Sequence, residues 1–306
     1  MSQHSFLVIG QGSIGQRHAR LLSDHGHVST VSSSAEGSFR SITDAISSQV
    51  FSHAVVANVT SAHANAVSEL VHTGFSGHVI IEKPACSRAE EIDQLLNAAE
   101  KLQSVTVGYN LRFHPIVQSL RRSLQGKRII EARLSVGQLL SDWRPGTDFR
   151  GGSSARLSAG GGALRDLSHE IDLALALFGP WKRVVALGGN FQRLGIETDE
   201  AWSIIIETVH GTMVSILMNY FDRPGHRTIS VTTDDHSYVA DLVTGLLSSG
   251  ENAERFSLER DDTYKALHRD FIGQAGQACS LNEGIEVVRL IDAIEQSSSQ
   301  RKWIEA

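Results

Sequence analysis

Near the start of the chain, Gly10-Gln11-Gly12-Ser13-Ile14-Gly15 spells G-x-G-x-x-G. Alone, the pattern is weak. Here it directly follows the apolar run Phe6-Leu7-Val8-Ile9 and opens a helical stretch with Ile14, Ala19, Leu21 and Leu22 available for one face. Strand, glycine loop and helix in that order form the context that gives the pattern meaning. Gly10 permits the tight turn, Gly12 lets the backbone approach a pyrophosphate, and Gly15 lets the helix pack closely on the strand. The helix start, with Ser13 and Ile14, offers N–H groups and positive potential to phosphates. The expectation is dinucleotide binding. The alternative is a glycine-rich turn without a ligand.

The rest of the first third keeps this rhythm. Val28–Val31, Ala54–Ala57, Val79–Ile81 and Val105–Val107 are strand candidates. Helical patterns over 41–48, 62–73 and 88–102 separate them. Alternation of this kind implies a parallel sheet with helices on both faces. After about residue 118 the period changes to two. Ile130, Ala132, Leu134 and Val136 alternate with polar residues, as do Trp202, Ile204 and Ile206, then Val214, Ile216, Met218 and Tyr220. His210-Gly211 reads as a hairpin turn between the last two runs. Residues 228–241 read as another hairpin, and helices are expected near 163–178, 261–276 and 282–297. The expected fold is α/β: a doubly wound Rossmann domain over 1–118, then an α/β domain over 119–306 with a large, mostly antiparallel open sheet.

Composition bounds the function class. The 306 residues are 41% hydrophobic and 20% charged, which fits two globular domains and excludes a mainly disordered chain. A net charge of -6 argues against general nucleic-acid binding. Cys86 and Cys279 form no CxxC pair, so they are expected as reduced thiols. No apolar run reaches membrane-spanning length, and the first residues do not read as a signal peptide. A cytoplasmic protein without membrane partners is the expectation.

Cofactor choice turns on the end of the second strand. NAD readers usually place a carboxylate about 20 residues past the glycines. Here the stretch is Ser32-Ser33-Ser34. With no carboxylate to repel a 2′-phosphate, serine hydroxyls and Arg40 favour NADP. The alternative is NAD, with Glu36 reaching the ribose. Asn58, Thr60 and His63 follow the strand Ala54–Ala57, at the end where ligands bind in open α/β sheets, and are expected to line the cofactor.

Three further motifs join the glycine loop. Glu82-Lys83-Pro84 follows the strand Val79–Ile81. Gly108-Tyr109-Asn110-Leu111-Arg112-Phe113-His114-Pro115 follows the last strand of the first domain. Gly160-Gly161-Gly162-Ala163-Leu164-Arg165-Asp166-Leu167-Ser168-His169-Glu170-Ile171-Asp172 opens a helix in the second. In that order and spacing the chain resembles the Gfo/Idh/MocA family of nicotinamide-dependent oxidoreductases over nearly its whole length. Asp142-Trp143-Arg144-Pro145-Gly146 looks like a branch acting on sugars, including nucleotide-linked sugars.

The resemblance implies hydride transfer between NAD(P) and a secondary alcohol or ketone of a sugar, sugar acid or nucleotide sugar, in a homodimer or homotetramer. It implies catalytic roles for Lys83, Asp166 and His169. His169 would be the acid/base, a role that suits a group titrating near neutral pH. The Lys83 ammonium would stabilise charge on the reacting oxygen. Asp166 would orient His169 or bind a sugar hydroxyl. Many members space this Asp and His four apart rather than three, but an uninterrupted helix carries both spacings on one face.

Glu82 and Asn110 are expected at the cofactor, and Arg112, Trp143 and Arg144 at the substrate. Arg144, Arg150 and Arg156 would suit a carboxylate or phosphate, or some of them simply pair with Asp142 and Asp148. Glu170 and Asp172 are expected to be structural. His169-Glu170 suggests zinc, but the second histidine of a zinc-protease motif is Leu173 here, so no metal is expected. Two rivals remain: a cofactor-binding sensor without turnover, and an enzyme with permanently bound cofactor.

Overall fold

The computed structural model describes residues 4–32, 37–143 and 145–306. Ser33, Glu36 and Arg144 lie outside the described residues. The chain divides into two compact units, one of Met1–Asn110 with Asp261–Val288 and the other of Leu111–Arg260 with Arg289–Ala306. The expected division at 118/119 does not include this return of 261–288 to the first unit.

The first unit alternates β1 (His4–Ile9), α1 (Ser13–Leu22), β2 (Gly26–Val31), α2 (Ile42–Ser48), β3 (His53–Val56), α3 (His63–His72), β4 (His78–Ile81), α4 (Ile92–Ala99) and β5 (Ser104–Val107). These strands pair in parallel in the order β5-β4-β3-β1-β2. Phe6, Leu7, Val8, Val55, Val56, Val79, Ile80 and Ile81 are fully buried. Continuous apolar strands of this kind belong to sheets covered on both faces. The order reverses at β1, which makes the space beyond β1 and β3 the switch point where ligands bind.

In the second unit come α5 (Pro115–Ser123), β6 (Ile129–Gly137), α6 (Ala163–Asp166), α7 (His169–Phe178), β7 (Trp181–Gly189), β8 (Ala201–Thr208), β9 (Met213–Asn219), β10 (His226–Thr233), β11 (Ser237–Asp241), β12 (Leu246–Ser249) and β13 (Asn252–Arg255). Then α8 (Asp262–Gly273) and β14 (Cys279–Ser280) return to the first unit, where β14 pairs antiparallel with β5. The division falls within α9 (Leu281–Gln300), and β15 (Ile304–Glu305) closes the chain.

The second sheet runs β13-β12-β11-β10-β6-β9-β8-β7-β15. Its named pairs are antiparallel except β6 with β9. Alternation is clean: Trp202, Ile204, Ile206, Val214, Ile216 and Met218 are buried, while Ile205, Met213 and Leu217 are exposed. Helix α7 covers the buried face at β6 and β9. No helix among the described residues is long and apolar enough to cross a membrane.

Candidate active site

Ile9, Val56 and Ile81 stand in register, so Gly10, Asn58 and Lys83 leave the sheet at the same end. The three motif glycines there meet different surroundings. Gly10 has φ +102, and a Cβ on it would lie 2.6 Å from the Ala57 carbonyl oxygen. A Cβ on Gly15 would lie 2.0 Å from the Gly10 carbonyl oxygen. Around a Cβ on Gly12 nothing comes within 4 Å among the described residues. Gly12 is the N-cap of α1, no side chain caps it, and the first turn holds no acidic residue. Asn58 Oδ1 is buried with no hydrogen-bond partner among the described residues. An open backbone cradle at an uncapped helix start, beside an orphaned buried acceptor, fits a dinucleotide.

The other expected cofactor residues fall into two groups. Ser32 and Arg40 come together at the end of β2: the Ser32 N–H donates to the Phe39 carbonyl at 3.1 Å, and Arg40 follows Phe39. Thr60 is half-buried in a short turn ahead of α3. His63, Glu82 and Asn110 instead face inward. His63 is buried, with Nδ1 3.0 Å from the Pro84 carbonyl and Nε2 3.3 Å from that of Asn58. Burial holds its pKa below the ordinary value despite those contacts. A neutral ring carries a single N–H, so His63 donates to one of these two carbonyls, on the Lys83 loop or on the Asn58 loop. The Asn110 amide donates to Thr263 Oγ1 at 2.7 Å.

Glu82 turns away from the expected cofactor contact. Its Oε1 lies 2.9 Å from His18 Nε2, and its Oε2 accepts the Lys83 backbone N–H at 3.3 Å. Burial pushes this carboxyl up, but the His18 hydrogen bond and the nearby Lys83 charge bring it net below the usual range. Lys83 itself is half-buried at the mouth of this loop.

In the second unit the expected single helix over 163–178 is two. Around Leu167 and Ser168 the bonds shorten to i→i+3, with Ser168 N–H to Arg165 and Glu170 N–H to Leu167. A tight turn of this kind re-aims the chain. Asp166 thus ends α6 and His169 begins α7, on either side of a break rather than on one uninterrupted face. Asp199 fixes this start: its Oδ2 accepts the Leu164 N–H at 2.8 Å and the Trp202 indole N–H at 2.6 Å.

Tyr220, which the sequence showed only as the end of an alternating strand, is a site residue missed there. Its hydroxyl donates to Asp166 Oδ2 at 2.7 Å. Burial and the Asp166 charge hold its pKa well above the ordinary value, so it stays a donor. The Trp143 ring packs edge-on against Tyr220 at 5.3 Å, and Trp143 Nε1 is enclosed without a hydrogen-bond partner among the described residues. Tyr220, Trp143 and Asp166 form one cluster, and a carboxylate accepts several hydrogen bonds at once.

Arg112 is not placed as expected. Its Nε and Nη2 grip both oxygens of Asp172, at 3.1, 3.1 and 2.7 Å, and both residues are buried. Sequence spacing gave no sign that Asp172 is held by a partner sixty positions away. Glu170, also buried, pairs with Arg227 at 2.7 Å. Arg150 donates to the Leu194 carbonyl and stacks on Phe149. Asp172→Ala is expected to destabilise the second unit by roughly 3–5 kcal/mol, because it strands a buried guanidinium. Urea unfolding reads this, and a cost under about 1 kcal/mol would mean the pair contributes no net stability.

Comparison with known proteins fits both halves. Residues 4–110 match the oxidoreductase family with the NAD-binding Rossmann fold, and residues 117–239 match the GFO/IDH/MocA C-terminal domain. The chain belongs to the Gfo/Idh/MocA family of oxidoreductases. Among solved structures, levoglucosan dehydrogenase in complex with NADH and L-sorbose is similar at 18% identity and a TM-score of 0.85, covering 99% of this chain and 98% of that one. The WlbA dehydrogenase of Bordetella pertussis, in complex with NADH and UDP-GlcNAcA, is similar at 19% identity and a TM-score of 0.83, covering 99% of each chain. These likenesses establish the shared fold. A putative UDP-kanosamine synthase oxidoreductase subunit of Amycolatopsis mediterranei (strain S699) is 34% identical over 128 residues, or 42% of this chain and 34% of that protein. The chain thus matches about a third of that relative's length. It carries the NAD-binding Rossmann fold of that oxidoreductase family, and its fold resembles those of sugar and nucleotide-sugar dehydrogenases.

Proposed function

We propose that this protein interconverts a secondary alcohol and a ketone on a sugar, sugar acid or nucleotide sugar. The observation that carries the reading is Lys83, which leaves the sheet at the same end as the open glycine cradle. When bound, the nicotinamide supplies or accepts the hydride. His169 takes the hydroxyl proton during oxidation and returns it during reduction, a task worth about 10²–10⁴-fold. The Lys83 ammonium stabilises charge developing on the same oxygen. Asp166, oriented by Tyr220, holds a neighbouring hydroxyl.

The names of similar proteins support the substrate class, since they include levoglucosan and UDP-GlcNAcA complexes. Those related proteins are solved with NADH or NAD, so they lend no support to a preference for NADP through Ser32 and Arg40. The test is a panel of sugars, sugar acids and nucleotide sugars offered with each nicotinamide, following absorbance of the reduced form. Turnover with a member of these classes supports the reading. Turnover only with simple alcohols or amines would replace it.

We further propose that the open face of the second sheet packs against another copy. Leu187, Ile205, Leu217 and Val239 are exposed there. Register sets Leu187 opposite Ser203, and Ser203 opposite Leu217. An apolar face of this extent marks an association surface. Leu187→Glu with Leu217→Glu is expected to turn a dimer or tetramer into a monomer by light scattering. A wild-type monomer would contradict it.

A further inference from the structure

We infer that His18, backed by His268, is the positioning residue of Lys83, acting through the Glu82 carboxylate. His18 lies one turn past the glycine loop on the buried face of α1, where an apolar residue would be ordinary. It is fully buried, as is His268 on α8. The two rings meet with His18 Nδ1 2.7 Å from His268 Nε2, while His18 Nε2 lies 2.9 Å from Glu82 Oε1. Three buried polar groups from three separate stretches of chain thus form one line that ends at the Lys83 amide.

The protons can be assigned from the partners. An ionised carboxylate only accepts, so His18 Nε2 carries the hydrogen. In the neutral ring His18 Nδ1 then accepts, and His268 Nε2 donates to it. That leaves His268 Nδ1 as a bare lone pair, and this atom is buried without a partner among the described residues. A bare acceptor is tolerated in the interior more readily than an orphaned N–H. Every hydrogen in the line therefore points toward Glu82. Burial above all holds the pKa of His268 well below the ordinary value, in keeping with a neutral ring.

Glu82 has no freedom to leave. A Cβ on Gly108 would lie 2.8 Å from its Oε1, so the side chain runs tight beneath that backbone. Around them, Tyr264 packs edge-on against His18, and the Arg17 guanidinium, paired with Asp261 at 3.3 Å, sits over Tyr264. A fixed carboxylate beside the Lys83 backbone fixes the loop and favours the charged form of its amine. It also links α1, which carries the glycine cradle, to the lysine.

The inference rests on the oxidoreductase reading only for what Lys83 is used for, so its test needs no substrate and no turnover. The full-length protein is labelled with trace acetic anhydride at pH 8, and peptide mass spectrometry reads each lysine. Lys101, Lys127, Lys182, Lys265 and Lys302 serve as internal references. His18→Leu removes the donor to Glu82, and Glu82→Gln removes the charge. Each is expected to raise Lys83 labelling about threefold or more against the references, as the free amine gains population. His18→Gln returns an N–H toward Glu82 and is expected to restore the wild-type rate. Unchanged Lys83 labelling in both His18→Leu and Glu82→Gln would overturn the inference, as would His18→Gln behaving like His18→Leu. Should His18→Leu fail to fold, Glu82→Gln decides alone. Loss of turnover is a separate question, and Lys83→Met reads it.

Discussion

Replacing Lys83 by methionine, or His169 by alanine, is expected to lower turnover at least about a hundredfold while nicotinamide binding persists. The two losses have different origins. Methionine keeps most of the length and apolar bulk of lysine but removes the positive charge, so an oxygen developing negative charge loses its stabiliser. Alanine at 169 removes the proton acceptor, leaving water to do the work. Lys83 and His169 are carried by separate motifs, so each variant tests one of them. Asp166, in contrast, is held by Tyr220. Tyr220→Phe should therefore raise KM or lower kcat without touching the cofactor. Turnover unchanged in Lys83→Met or His169→Ala would remove that residue from the chemistry.

The second large effect separates the motif glycines by what surrounds them. Gly12→Ala adds a methyl where no other described residue lies within 4 Å, at φ -68, which any residue adopts. Fold stability should stay within about 0.5 kcal/mol of the wild type. The same methyl occupies the space a pyrophosphate needs, so affinity for NADH or NADPH should fall about tenfold or more, or roughly 1.4 kcal/mol. Gly15→Ala is the opposite case. Its Cβ would sit 2.0 Å from the Gly10 carbonyl oxygen, and backbone has nowhere to yield. That variant should lose roughly 1–3 kcal/mol of stability from overpacking. Thermal melts and fluorescence titrations on the same samples check both. Equal behaviour of the two variants would contradict a ligand above Gly12.

Much of this architecture was legible in the chain. The strands β1 to β5 are short, apolar and bounded by helical patterns, so both the period and the punctuation were visible. In the second unit, β6, β8, β9, β10 and β11 alternate cleanly because one face is buried and one is open. Strand β7 was missed because Val184-Val185-Ala186-Leu187 is a continuous apolar run behind Lys182 and Arg183, with no alternation to read. Local pattern also carries no information on where a later segment returns, so the passage of 261–288 back to the first unit was invisible.

The site was legible as motifs but not as partnerships. Lys83, Asp166 and His169 stand in recognisable strings. Arg112 looked like a ligand arginine because nothing in sequence announces Asp172 as its buried partner. Glu82 looked like a cofactor contact because His18 lies 64 positions away and His268 is further still. Tyr220 looked like one more inward residue of β9's alternation, since a strand period places a ring but does not say what its hydroxyl meets. Pairing across long separations is set by the fold, and these residues could be read only once it was known.

The most direct test of the account is a titration of the purified chain, first freed of any copurified nucleotide, with NADH and with NADPH, following nicotinamide fluorescence. The account predicts saturable binding of at least one of them, with loss of that binding in Gly12→Ala. Stronger binding of NADPH would give the ribose end to Ser32 and Arg40, and stronger binding of NADH would give it to Glu36 or a backbone group. Binding of neither by a folded protein would contradict the central claim that this is a nicotinamide-dependent oxidoreductase.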